Sequence, residues 1–311
     1  MRDFNINFSK TFKPVILIYT VIFIAGIIFA VIGGVNLDIN FSGGTKISYS
    51  YTGEIAQDDF KAVIADTIDN KFEISQSTSL AGDTKTYDVA LVGKNALSND
   101  QQQNLLTALT TKFKDNKVEV YNSTSVSASL AGTFFLKSFV AIVITAILVV
   151  IYVGFRFKKI GGISAALTAL VALVFDVLVV FFTCVFFGLQ IDLNFVAVVL
   201  TMLGYSLNDT IVIYDRIREN ERLNPQTEIG ELVNMSVNKV LIRNIVTTIT
   251  TLLAVITIVI VSELYGLTTL RTFAIPMAFG LVSGSISSVF ISGPLWVIWK
   301  RYKAKKNPRK A

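Results

Sequence analysis

The chain contains no histidine, and its single cysteine is Cys184. The first absence removes the side chain that titrates nearest neutral pH, so no imidazole is available as a proton relay, metal ligand or general base. The second excludes a disulfide or a thiolate metal site within the chain. Charge is also scarce. Only 16% of the 311 residues are charged and 52% are hydrophobic, against about 25% charged in an ordinary soluble domain. Carboxylates, lysine and arginine are what remain for ionisable chemistry. No cofactor and no metal is expected, and the composition is that of a chain solvated by lipid.

What is present is a series of long apolar runs. A helix needs about 20 mostly apolar residues to cross the roughly 30 Å hydrocarbon core. Runs of that length predict six spans, at Pro14–Val35, Thr133–Val153, Gly162–Phe187, Leu193–Tyr214, Leu241–Ser262 and Phe273–Trp299. The first follows Lys10 and Lys13 but lacks a small-residue cleavage site, which reads as a retained anchor and not a removed signal peptide.

The net charge of +6 does not point to nucleic acid, because the basic residues gather at span ends. Arg156, Lys158 and Lys159 follow span two, and Lys300, Arg301, Lys303, Lys305, Lys306, Arg309 and Lys310 follow span six. By the positive-inside rule both clusters face the cytoplasm, as do both termini. The basic tail suits anionic lipid or a cytoplasmic partner.

The expected fold class is an α-helical polytopic membrane protein. It is organised as an N-terminal segment with span one (1–35), an external domain (36–132), a bundle of spans two to six (133–299) with a cytoplasmic loop at 215–240, and a basic tail (300–311). The external segment alternates as strands at Thr45–Tyr51, Lys71–Gln76, Thr84–Val92 and Lys117–Ser127. Helices are expected at Ile55–Asp66 and from Asn99, where Ser98 and Gln101 have capping-box spacing. Strand, helix, strand, strand, helix, strand is the order of an α+β, ferredoxin-like domain. It carries no phosphate-loop pattern, and it reads as a binding or moving module.

Three charged residues sit deep enough in the spans for charge to be costly: Asp176, Asp209 and Arg243. An ionisable group at that depth is a functional candidate. Asp209 shares a helical face with Thr201, Tyr205 and Asn208, and Arg243 shares one with Thr247, Thr250 and Thr251. Spans four and five are antiparallel neighbours, so an Asp209–Arg243 pair is geometrically reasonable. Such a pair is either a proton-coupled switch, whose carboxylate occupancy depends on whether the pair is closed, or a static contact that fixes helix register, or an arginine that snorkels to the interface. Asp176 lies on a face with Ala165, Ala169 and Ala172, and suits a relay or a close helix contact. Gly280, Gly284 and Ser288 recur every four residues in span six, which predicts an intimate packing face or a sliding surface.

These residues resemble the SecF subunit family of the bacterial protein-export machinery over essentially the whole chain. The resemblance rests on GYSLNDTIVIYDRIREN at Gly204–Asn220, which includes Asp215 and Arg216. NFSGGT at Asn40–Thr45 (Asn40, Phe41, Gly43, Gly44, Thr45), VLIRNIVTTITTLL at Val240–Leu253, and Gly280, Gly284, Ser287 and Ser288 support it. It implies a SecD-like partner completing a twelve-span bundle of the resistance-nodulation-division type in the bacterial plasma membrane beside the SecYEG channel, with YidC- or YajC-like proteins as further candidate partners. The cargo would be a translocating unfolded polypeptide, and the drive a proton or sodium motive force at a late step of export. The resemblance assigns ion conduction to Asp209 and Arg243 and implies no enzyme; Asp176, Asn208, Tyr205 and Thr247 are ion-coupling candidates from their charge or their place on the polar faces.

The chain departs from the family pattern in three places. Asn40 stands where Asp is usual, Val126-Ser127-Ala128 where Val-Gly-Pro is usual, and Phe175-Asp176 where His-Asp is frequent. Three alternatives stand beside the family reading: an assembly factor without ion coupling, half of a small-molecule exporter, and an intramembrane aspartyl protease using Asp176 and Asp209. The last lacks that class's motifs, since the dipeptides here are Phe175-Asp176 and Asn208-Asp209.

Overall fold

The structure is a computed structural model that describes residues 6–68, 72–78, 85–93 and 97–306. The expected strand starts at Lys71 and Thr84, and the tail residues Arg309 and Lys310, lie outside the described residues. Helix α1 (Phe8–Gly33) leads through a short α2 (Ile39–Ser42) into a sheet domain of β1 (Gly44–Tyr51), α3 (Gln57–Thr67), β2 (Phe72–Thr78), β3 (Lys85–Val92), α4 (Asn99–Lys112) and β4 (Glu119–Val126). The chain then returns through α5 (Ala128–Arg156), α6 (Gly162–Phe186), α7 (Leu193–Leu223), α8 (Ile229–Leu264), α9 (Thr268–Ser287) and α10 (Gly293–Lys306). A π turn, Ser288–Ser292, joins the last two. Among the described residues six helical stretches are long and apolar enough to cross a membrane, α9 to α10 counting as one.

The sheet is wholly antiparallel with strand order β2-β3-β1-β4, the ferredoxin-like arrangement expected from the element order. Alternation decides which face is covered. Ile47, Tyr49 and Tyr51 of β1 point to one side and are buried with Phe60 and Ile64 of α3 and Leu105 and Leu109 of α4. Each such side chain contributes about 1.5–3 kcal/mol on burial. Tyr51 and Tyr87 stack at 4.9 Å across β1 and β3, and the Tyr87 hydroxyl donates to the Ile55 carbonyl. The capping box forms: Ser98 Oγ accepts from the Gln101 N–H, and Gln101 Oε1 accepts from the Ser98 N–H.

The NFSGGT segment builds the joint between this domain and the bundle. Gly43 and Gly44 have φ of +80° and +135°, and a Cβ on Gly44 would stand 2.1 Å from the Leu91 carbonyl oxygen. Thr45 is buried, and its hydroxyl accepts from the Leu97 N–H and bonds Ser125 Oγ. The Phe41 ring meets Phe135 of α5 at 6.2 Å. At two of the departures from the family pattern the replacing side chain has local work. Asn40 donates to Asp38, which also caps α2, and Ser127 caps α5. A third attachment ties the domain to the α6–α7 loop, where the Asp38 N–H donates to the Ile191 carbonyl and the Ile191 N–H to that of Asn36.

The expected loop at 215–240 is mostly helix. α7 runs on to Leu223 and α8 begins at Ile229, leaving a short connection. Hydropathy fades at the membrane surface, but the helical pattern does not: Leu232, Val233, Ser236, Val237 and Val240 are buried along one face of α8. The N-terminal segment lies on this extension, with the Ile6 and Phe8 N–H groups donating to Asn238 and Asn234.

Candidate ion-coupling site

Asp209 and Arg243 face each other from α7 and α8 without a direct ion pair. Asp209 is 2% exposed, and its Oδ2 is buried with no hydrogen-bond partner. Arg243 is exposed and takes part in none of the ion pairs within 4 Å among the described residues. It lines a cleft of about 1040 Å³ that opens at the end of the bundle carrying the termini, together with Asp215, Arg218, Glu219 and Lys239. A buried carboxylate without a donor is costly. The arrangement leaves Asp209 open to a proton, or to an arginine that moves about a side-chain length.

The two polar stripes meet at Tyr205, whose hydroxyl lies 3.4 Å from Thr251 Oγ1. The threonines are not free ligands, because Thr247 Oγ1 donates to the Arg243 carbonyl and Thr250 and Thr251 bond back to their own helix in the same way. Thr201, Gly204 and Asn208 of α7 and Arg243 and Thr250 of α8 are exposed in the single chain. Lipid offers these groups no hydrogen bonds, so this face needs protein or water over it.

Asp176 is placed differently. It is 1% exposed, and three hydroxyls surround it: Ser206 Oγ and Ser287 Oγ donate to Oδ2 at 2.6 and 2.9 Å, and Ser283 Oγ donates to Oδ1 at 2.6 Å. The Tyr19 hydroxyl of α1 lies 3.0 Å from Ser283 Oγ. Phe175, at the third departure, packs its ring on Tyr19 and Phe23. No hydrogen bond joins Asp176 to Asp209 among the described residues. Sequence reasoning missed Ser206, Ser283 and Tyr19. The signal was present, since Ser283 and Ser287 repeat at four residues opposite Asp176. It also missed Asn244 and Thr248, spaced by four on α8, whose Nδ2 and Oγ1 are buried without partners.

The small residues of α9 allow close approach. A Cβ on Gly280 would stand 2.8 Å from Val180 Cγ2, and one on Gly284 would stand 3.1 Å from Ser206 Cβ. Asp215 serves as a clamp outside this core, pairing with Arg156 at 3.0 Å and Arg218 at 2.9 Å, while Arg216 pairs with Glu219 at 2.6 Å. At the sheet end, burial pushes the Asp192 carboxyl above its usual range, against the hydrogen bond it accepts from the Phe195 N–H. Glu228 behaves oppositely. Its hydrogen bond from Arg301 holds its pKa below the ordinary value.

Residues 105–302 match the family model for the C-terminal region of the protein export membrane proteins SecD and SecF. The chain belongs to the SecD/SecF family. It is 32% identical to the SecF subunit of the protein translocase of Sebaldella termitidis, over 87% of this chain and 84% of that one. It is 29% identical to the SecDF subunit of Bacillus subtilis, over 97% of this chain and 39% of that one. A crystal structure of SecDF, described as a translocon-associated membrane protein, from Thermus thermophilus superposes with a TM-score of 0.79 at 26% identity, covering 96% of this chain and 39% of the other. A second SecDF structure, in a super-membrane-facing form, gives a TM-score of 0.65 at 25% identity over 100% and 41% of the two chains. The chain thus spans about two fifths of the SecDF proteins it matches. It is a multi-pass bacterial membrane protein with the SecDF-type bundle, and an accessory subunit of the Sec protein translocase.

Proposed function

We propose that this chain is the SecF half of an ion-driven export machine, working with a SecD-like subunit beside the SecYEG channel at a late stage of secretion. The observation that carries the reading is the unpartnered Asp209 carboxylate, set under a polar face of α7 and α8 that the single chain leaves uncovered. A second bundle laid over Thr201, Gly204, Asn208, Arg243 and Thr250 would shield that face. The SecDF relatives, which carry more than twice the length in one chain, supply a partner of that kind.

In this reading the basic clusters hold both termini in the cytoplasm and the sheet domain outside. A proton or sodium ion reaching Asp209 alters its attraction for Arg243, which sits in the cleft open to the cytoplasm. Each charge moved through 100 mV yields about 2.3 kcal/mol, enough to bias a domain between two states of similar energy. The sheet domain then holds and releases an unfolded polypeptide on the far side. The basic tail rests on anionic lipid.

The test is Asp209→Asn in inverted vesicles containing the co-assembled partner. Export and ion flux should both lose their response to an imposed gradient while assembly persists. Unchanged export and flux would overturn the assignment. Parallel gradients of protons and of sodium identify the ion.

A further inference from the structure

The most completely built polar site in the bundle surrounds Asp176, which the coupling scheme above does not use. Its two oxygens accept three hydrogen bonds, from serines on α7 and α9. No basic side chain forms an ion pair with it among the described residues. A lone carboxylate at that depth carries an uncompensated charge unless something neutralises it.

The ligand set decides what that is. A hydroxyl both donates and accepts. Ser206, Ser283 and Ser287 can give three hydrogen bonds to a carboxylate, and any of them can rotate to accept one from a carboxylic acid. Arginine or amide N–H donors could not reverse in this way. The cage therefore suits a group that exists in two protonation states.

Its surroundings carry little competing charge. Tyr19 of α1 reaches it through Ser283. α7 brings Asp209 three residues beyond Ser206, with no hydrogen bond between the two carboxyls. The continuous stretch from α9 through the π turn to α10 has no ionisable residue between Arg271 and Lys300, and α5 has no charged residue between Lys137 and Arg156.

A column of hydroxyls lies beyond the cage, toward the end where α1 begins and α10 ends, in separate groups that no hydroxyl-to-hydroxyl bond among the described residues joins to the cage or to each other. The π turn aims Ser288 and Ser292 at α7, where Ser288 Oγ bonds Thr210 Oγ1 at 2.9 Å and Ser292 Oγ bonds the Tyr214 hydroxyl at 2.7 Å. Tyr214 bonds Thr168 Oγ1 at 2.7 Å in turn. From Ser206 to Tyr214 the column runs about 12 Å along α7 at 1.5 Å per residue. π turns are frequent at functional sites.

We infer that Asp176 with Ser206, Ser283 and Ser287 is an occluded proton-binding site. This rests on the ion-coupled reading above and adds to it a second carboxyl, separate from Asp209.

Infrared difference spectra of the partnered complex, recorded on a pH step, test it directly. A reversible carboxylic-acid band should appear, vanish in Asp176→Asn and shift in Ser287→Ala. Asn keeps the shape of Asp and can still hydrogen-bond to serine, and a retained melting transition with the partner bound checks that the variant is folded. Proton flux should be lost in the same Asp176→Asn complex. A band that does not respond to pH, a band displaced by sodium at constant pH, or wild-type flux in folded Asp176→Asn would each overturn the inference. If the band titrates while wild-type export ignores the gradient, the proton site stands and the coupling reading fails.

Discussion

Replacing Gly280 by alanine should destabilise the bundle, whereas the same change at Gly204 should not, and the comparison isolates a packing energy. Both glycines lie in the interior of long helices. Each alanine gains a similar helix-propensity term, about 0.8–1.0 kcal/mol. At 280 the new methyl would stand 2.8 Å from Val180 Cγ2 and 3.1 Å from Met202 Cγ and Sδ, and both neighbours are fully buried with no room to turn away. At 204 nothing lies within 4 Å. Overpacking of a close-packed core costs about 1–3 kcal/mol. The propensity terms cancel in the difference, so Gly280→Ala should be less stable than Gly204→Ala by that amount, a factor of about 5 to 150 in the unfolding equilibrium at 1.4 kcal/mol per tenfold. Equilibrium unfolding of the purified chain in micelles measures it. A Gly280→Ala protein as stable as Gly204→Ala would refute the claim that α9 packs on α6 and α7 through this glycine. Repeating the pair with the partner bound adds a second reading. Gly204 lies on the uncovered polar face, so the benefit of Gly204→Ala should fall or reverse once that face is occupied.

Gly44→Ala should disrupt the sheet domain far more than either, because the methyl would strike the Leu91 carbonyl at a φ that L residues rarely adopt; loss of protease resistance between α1 and α5 would show it. Ser98→Ala removes an N-cap hydrogen bond and should lower sheet-domain stability by about 1 kcal/mol, read as a shift in its denaturation midpoint. The Glu228–Arg301 contact fastens α10 to the start of α8. Because the folded-state pKa of Glu228 is lowered, its stabilisation is present above the ordinary carboxylate value and fades as pH falls through the lowered one. Arg301→Gln should weaken that acid-side dependence, leaving the part due to the Gly230 and Glu231 N–H groups, as followed by melting temperature against pH.

The spans were legible from the length of their apolar runs, and the central strand from the alternation at Ile47, Tyr49 and Tyr51. The helical extension of α8 was missed because length of apolar run, not periodicity, set the expected boundary at Leu241. The candidate site was legible as residues and incomplete as geometry. Asp209 and Arg243 stood out because charge within an apolar run is rare. That they stand apart, with the carboxylate buried and the guanidinium exposed, depends on the depth at which α7 and α8 cross. The cage around Asp176 was harder still, since serine is unremarkable in any one helix. Only the meeting of α6, α7 and α9 turns three serines into one binding site.

The sheet domain is held by more than the two helices that flank it. Besides α1 and α5, main-chain hydrogen bonds at Asn36, Asp38 and Ile191 fix it to the link between α6 and α7. A body hung on two supports can swing about the line through them, and bonds to a third element oppose that swing. To pivot apart from α6 and α7, the helices that carry Asp176 and Asp209, the domain must break these bonds and those that Gln190 makes to Glu73 and Asn36 to the Gly188 carbonyl. Those bonds act as a latch between the carboxyls in the membrane and the part of the protein that stands clear of it.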